Sequence, residues 1–322
     1  MSHSSAVDTI TDANYVSTFV GERLRAKGLL ESHVLLQRHT QALENSDSKL
    51  VFLSRGRHGF VVTISPSLFP DVVAEECLKA ARMRSQLGDL GAPILEPLDT
   101  GRIHTSSYAV LPYRKPLSKH RGFSWLDRMW VRRHLLEWLL QVAHRRSALC
   151  DVSRYEIALQ ALATTVPVDC PTGTLLRNAA QHLTSGRFTP RACPMHGDLW
   201  KGNVLHGAAS TAFTLVDWRG SEADGFPIFD LIRAADSFGV SPRALHRELQ
   251  LHRAALDCQM QDLPLYLLGA LGHFALHLGE MAPTLFRDMA DRCVARLLSA
   301  LEAPASAKST RFSVNGGGRY AA

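Results

Sequence analysis

The sequence predicts an α+β fold in two unequal lobes, a small β-rich N-lobe followed by a larger helical C-lobe. Three observations predict it. Short runs rich in β-branched and aromatic residues fill the first third of the chain, at 33–37, 49–54, 59–65, 94–98 and 107–111. A single helical pattern over 70–87 interrupts them, and beyond 112–118 the periodicity changes to that of long helices. With 322 residues, 46% apolar and 20% charged, the chain can bury one large core or two modest ones.

Residues 1–14 are small and polar and are expected to form a flexible N-terminus. Over 15–30 the spacing is helical, with Tyr15, Phe19 and Leu24 on one side. KLVFLS and GFVVTIS flank Arg57-His58-Gly59, which reads as an antiparallel hairpin. Pro70-Asp71 opens the first lobe's long helix; Val72, Glu76, Ala80, Met83 and Leu87 share one face, and Gly88 and Gly91 end it. Further helices are expected at 125–148, 155–163, 173–184, 242–257, 263–279 and 284–301. The lobes then divide as 15–113 and 114–302, with a disordered tail expected over 303–322.

Composition excludes several classes. The net charge of +6 is spread out, and the only basic blocks are Arg132-Arg133, Arg145-Arg146 and Arg55-Gly-Arg57, so no nucleic-acid partner is expected. The apolar stretch at 263–278 is short for a bilayer span and broken by glycine and histidine, and no signal peptide opens the chain; no membrane partner and a cytoplasmic location are expected. Six cysteines without C-x-x-C spacing read as reduced thiols. Neither G-x-S-x-G nor G-x-x-x-x-G-K-[ST] is present. Nothing in the sequence sets an oligomeric state.

The chemistry lies in C193-P-M-H-G-D-L-W-K-G-N-V-L-H206, followed by T214-L-V-D-W-R-G220 and G225-F-P-I-F-D-L231. Phosphoryl transfer needs a carboxylate beside the acceptor hydroxyl and oxygen ligands that hold Mg²⁺ against nucleotide phosphates. Asp198 can supply the carboxylate, and Asn203 and Asp217 the metal ligands. A loop containing Gly202 can turn Asp198 and Asn203 toward one cavity, with Asp217 arriving at the end of a short apolar strand.

His196-Gly-Asp198, with Asn203 after four residues, resembles the catalytic loop of the aminoglycoside phosphotransferase and choline-kinase-like family, a relative of the protein kinases. Val216-Asp217-Trp218 looks like its metal-binding motif, and Gly225-x-Pro227-x-x-Asp230-Leu231 like the motif that follows. The resemblance implies a protein-kinase-like fold and ATP or GTP as phosphate donor with Mg²⁺. It implies Asp198 as base, Asn203 and Asp217 as metal ligands, and His196 and Asp230 as supports of the catalytic loop. HGDLW, with Trp200, also occurs in fructosamine-kinase-like members.

The same resemblance calls for a lysine on the third strand, paired with a helix glutamate. Here Thr63 falls at the lysine position, and Glu76 is the partner offered by the helix. A hydroxyl cannot replace a cation that reaches two phosphates. Lys49, Arg55 and Arg57 are nearby cations that could reach in but read better as solvated turn and strand-edge residues, and the glycine-free loop at 40–48 contains Asn45-Ser46-Asp47, which resembles the Ser-Asn-type loop of some family members. Two readings therefore stand: a kinase that uses a relocated cation or relies on Mg²⁺ alone, phosphorylating a sugar, amino alcohol or similar hydroxyl compound, or a pseudokinase that binds and regulates. The later helices mix Arg233, Arg243, Arg247 and Arg253 with Glu280, Asp288 and Asp291, unlike a pocket for polycations. His273 and His277 lack the glutamate of a zinc motif and read as packed core histidines, and Trp125, Trp130 and Trp138 as packing residues.

Overall fold

The computed structural model describes residues 11–30, 36–38, 49–54, 59–117, 124–186, 188–208, 211–277 and 283–303. The N-terminal decapeptide, the loop with Asn45-Ser46-Asp47, Arg55, Arg57, Glu280 and nearly all of the tail lie outside them.

The first part is a five-stranded antiparallel sheet in the order β1-β2-β3-β5-β4. Its strands are β1 (Leu36–Arg38), β2 (Leu50–Ser54), β3 (Phe60–Ile64), β4 (Asp99–Ile103) and β5 (Ser106–Pro112). β2 and β3 pair antiparallel, as the hairpin pattern predicts. Alternation sends Leu50, Phe52, Phe60, Val62 and Ile64 to one face, where helix α1 (Ala13–Ala26) covers them with Val16, Val20 and Leu24. The buried stripe of α1 thus runs through Val16 and Val20 rather than Tyr15 and Phe19, which flank it. The buried Asp99 accepts from Arg23 Nε at 2.8 Å and meets Lys27 at 2.6 Å, tying α1 to β4.

Residues 94–98 form no strand; Ile94 makes only an isolated bridge to Leu215, and the strand lies at β4. Ile94 is apolar because it enters the larger core, and Asp99-Thr-Gly-Arg carries no β signal until it pairs with β5. Helix α2 (Val72–Leu87) crosses the other face of the sheet and ends in a 3₁₀ turn at Gly88–Gly91.

The rest is helical. It comprises α3 (Ser124–Arg146), α4 (Val152–Thr165), α5 (Pro171–Thr184), α6 (Phe229–Ser237), α7 (Pro242–Leu256), α8 (Leu263–Leu276) and α9 (Pro283–Leu301). Between α5 and α6 lie short strands: β7 (Arg191–Met195), which pairs with β6 (Ala148–Leu149) and β10 (Glu222–Gly225), and the hairpin of β8 (Val204–His206) with β9 (Phe213–Leu215). α8 is the hub, with Leu263 through Gly272 buried except Pro264. It crosses α4 so closely that a Cβ on Gly272 would lie 2.0 Å from the Ala158 carbonyl oxygen, so only glycine fits.

Two hydrophobic cores result, one between α1 and the sheet, the other uniting the helices with Met83 and Leu87 of α2. Among the described residues no helix is long and apolar enough to cross a membrane. All six cysteines are free thiols. The basic pair Arg145 and Arg146 is engaged by Asp89, at 2.8 and 3.3 Å. Trp138 donates to the Leu90 carbonyl at 2.8 Å, as a packing residue would, but Trp125 and Trp130 are more than half exposed, so that expectation fails for them.

Candidate active site

β7 delivers the loop that begins at His196, and α6 holds it in place. Asp230, in the first turn of α6, is buried and accepts from the amides of His196 (2.6 Å) and Gly197 (3.1 Å). Burial pushes the Asp230 carboxyl up, with His196 and the two amides opposing. The Asp198 amide donates to His196 Nδ1 at 3.3 Å, so Nδ1 is the acceptor and Nε2–H donates to the Val216 carbonyl at 3.0 Å. One imidazole thereby joins the loop of Asp198 to the strand end that carries Asp217. Gly197 has φ +85°, and a Cβ there would stand 2.1 Å from the Gly220 carbonyl oxygen. The loop and the segment after Asp217 touch backbone to backbone.

Asn203 lies in a 3₁₀ turn over Lys201–Asn203. Its Nδ2 donates to the Asp198 backbone oxygen (2.9 Å) and to Asp198 Oδ2 (3.1 Å). The other carboxylate oxygen, Oδ1, accepts from Arg233 Nη2 at 2.8 Å. Asp217 follows β9 with φ +67°, a left-handed conformation that aspartate tolerates and that turns its side chain out of the strand direction. Asn203 Oδ1 and the Asp217 carboxylate are hard oxygen donors, the type Mg²⁺ takes alongside phosphates. Among the described residues there is no group of three or more His, Cys, Asp or Glu that could hold a metal ion.

The sheet contributes Lys49. Leu50 pairs with Ile64 and Val51 with Thr63. Lys49 and Val51 are two residues apart on one strand, so Lys49 shares a sheet face with Thr63, one step diagonally along. Its ammonium contacts Glu76 and stands 2.8 Å from Asp217 Oδ1, with the side chain only 14% exposed. Lys49 is therefore no solvated strand-edge residue. Burial pulls its pKa down, but Glu76 and Asp217 outweigh that and hold it above the ordinary lysine value. Burial likewise pushes the Asp217 carboxyl up, and Lys49 overcomes it and draws it below the usual range. Thr63 itself lines a small recess with Glu76, Cys77, Ala109 and Leu111 that adjoins the site at Asp217, without Asp198 in its wall.

Asp198, Asp217, Lys49 and Arg233 open on one cavity of about 480 Å³, whose far wall is Phe274, Phe286 and Met289. His273 and His277 line it too, with His273 Nε2 at 3.7 Å from Glu222, so they are not packed core histidines. Helical spacing on the very apolar α8 hides this, because the chain turns outward only in its last turn. Sequence reasoning places Arg233 only among mixed charges. Its contact with Asp198 follows from a local signal: it stands three residues after Asp230, one helical turn along from the group that holds the loop.

The family model of the phosphotransferase enzyme family matches residues 39–263. The chain belongs to that family. Solved structures agree in fold. A thermostable mutant of the aminoglycoside phosphotransferase APH(4)-Ia in its apo form is 13% identical, with a TM-score of 0.52, over 89% of this chain and 100% of that one. Choline kinase LicA from Streptococcus pneumoniae is 13% identical, with a TM-score of 0.50, over 88% and 99%. The aminoglycoside phosphotransferase is also known as a ternary complex with AMP-PNP and hygromycin B, at 14% identity and a TM-score of 0.52 over 89% and 100%. No curated protein matches this sequence. The fold of this phosphotransferase is thus the bilobal, protein-kinase-like one.

Proposed function

We propose that this phosphotransferase moves the γ-phosphate of ATP or GTP to a hydroxyl of a small metabolite, a sugar, amino alcohol or similar compound. The observation that supports this most is the convergence of Asp198, Asp217 and Lys49 on one cavity, with Asn203 bonded to Asp198. Asp198 orients the acceptor hydroxyl and takes its proton as the new O–P bond forms; the bond from the γ-phosphorus to the β-phosphate oxygen breaks and the nucleoside diphosphate leaves. Asn203 Oδ1 and Asp217 would hold Mg²⁺, which neutralises charge on the phosphates. Lys49, paired with Glu76, supplies from β2 the cation that Thr63 cannot supply from β3. His196 and Asp230 keep the loop in shape. The presence of AMP-PNP in the related aminoglycoside phosphotransferase favours a nucleoside triphosphate as donor.

The pseudokinase alternative rests on Thr63 alone, and the buried Lys49 weakens it. Thermal-shift titration with Mg-ATP and Mg-GTP, followed by an assay of phosphate transfer, tests the proposal. Asp198→Asn should leave nucleotide affinity unchanged and lower turnover about 10²–10⁴-fold. Asp217→Ala should abolish the magnesium-dependent part of nucleotide binding. No thermal shift at millimolar nucleotide would sink the reading.

A further inference from the structure

We propose that Arg233 recognises an oxyanion on the acceptor, so that the preferred substrates are hydroxyl compounds bearing a carboxylate or phosphate, such as hydroxy acids and acid sugars. This rests on the phosphotransferase reading of the cavity and narrows it.

Both oxygens of Asp198 carry a donor, Asn203 Nδ2 on Oδ2 and Arg233 Nη2 on Oδ1. Each oxygen keeps a further lone pair for an acceptor hydroxyl, which then lies beside one of these two donors. The Asn203 contact is built into the turn that also bonds the Asp198 backbone, so it stays. Arg233 is the donor that can turn toward the acceptor. It cannot do so without cost, because its side chain is only 23% exposed and a guanidinium leaving its carboxylate needs another anion nearby. Its Nε is buried with no hydrogen-bond partner among the described residues, so a turn of the guanidinium toward an anion costs no existing bond at that atom. A neutral acceptor offers nothing to draw the guanidinium off the base. An oxyanion offers the planar two-oxygen partner that arginine matches best.

The surroundings agree. His273 and His277 line the same cavity, His277 giving its Nδ1–H to the His273 carbonyl at 2.9 Å, and Phe274, Phe286 and Met289 are apolar. Glu222 already faces His273 at 3.7 Å and Lys79 at 3.9 Å. Four carboxylates line the cavity among the described residues; Asp198, Asp217 and Glu222 already face Arg233, Lys49 and His273, which leaves Glu75 rather than an acidic cluster for a polycation.

The test uses the full chain with Mg–AMP-PNP bound, so that the nucleotide side is filled. The Arg233 Nε–Hε resonance is assigned by its loss in Arg233→Lys. Glycerate, glycerol 3-phosphate and gluconate are titrated against glycerol and glucitol. An oxyanion should shift that resonance saturably and the neutral partners should not; the relative effect of glycerate and glycerol 3-phosphate separates carboxylate from phosphate. Initial rates with ATP over the same set, extended to amino alcohols and aminoglycosides, should favour the acidic member of each pair by about tenfold or more in kcat/KM, and Arg233→Gln should erase that preference. The proposal falls if no oxyanion moves the resonance, if neutral or amine acceptors are preferred, or if the preference survives Arg233→Gln. Failure of the phosphotransferase reading itself would show separately, as absence of Mg–AMP-PNP binding before any acceptor is added.

Discussion

At the scale of single residues, the position of one charge decides most. If Lys49 is the phosphate-binding cation, Lys49→Ala should raise the nucleotide KM and lower kcat, together by about 10²-fold in kcat/KM. The double variant Lys49→Ala/Thr63→Lys should recover at least about tenfold of that in the same steady-state assay, because position 63 shares the sheet face of position 49. Gly197→Ala should destabilise the fold by about 2–4 kcal/mol in urea titration, since φ is +85° and the neighbouring atom is a backbone oxygen. The carboxylates and Asn203 were legible in the sequence because their spacing belongs to one short segment. The partner of Asp198 was not, because Arg233 meets it across 35 positions of chain. Lys49 was visible as a cation, but its pairing with Glu76 and Asp217 depends on the strand register and on a contact between the two cores.

At the scale of elements, long helices were read well, and the runs 49–54, 59–65 and 107–111 fall on β2, β3 and β5, while β4 was missed. The predicted helix at 263–279 appears as α8 within three residues at its end, whereas 94–98 was mistaken for a strand. An apolar run on an amphipathic helix extends over several turns and leaves a strong periodic mark. Five apolar-rich residues leading into a sheet leave the same mark whether they pair or merely fill a core, as Ile94 does. α7 carries its own titration. His252 is buried, its Nδ1 stands 2.9 Å from the Glu248 carbonyl, and burial lowers its pKa to about 4. A histidine with a depressed folded pKa binds its proton more readily when unfolded. The stability it allows is complete above about 6.5 and is lost as pH falls from there toward 4, by about 3 kcal/mol. Chemical denaturation at steps across that interval should show the slope, and His252→Gln should flatten it.

At the scale of the molecule, the sheet and the helices keep separate cores, and α2 belongs with the helices although it lies on the sheet. Lys49 thus bridges the two bodies, from β2 to Glu76 on α2 and to Asp217 beside β9. Mg-nucleotide should raise the melting temperature of the whole chain in a single transition, because it would exchange these carboxylates for phosphates without parting the bodies. Differential scanning calorimetry reads this directly, and two separate transitions would contradict it. The register that sets Lys49 beside Thr63 also bears on descent. A passage from lysine at position 63 to lysine at position 49 can run through a chain that carries both. The two substitutions in that passage, a gain and then a loss, leave a cation on the same face at every step. A residue that looks indispensable in one lineage can thereby vanish from another with no inactive intermediate between them.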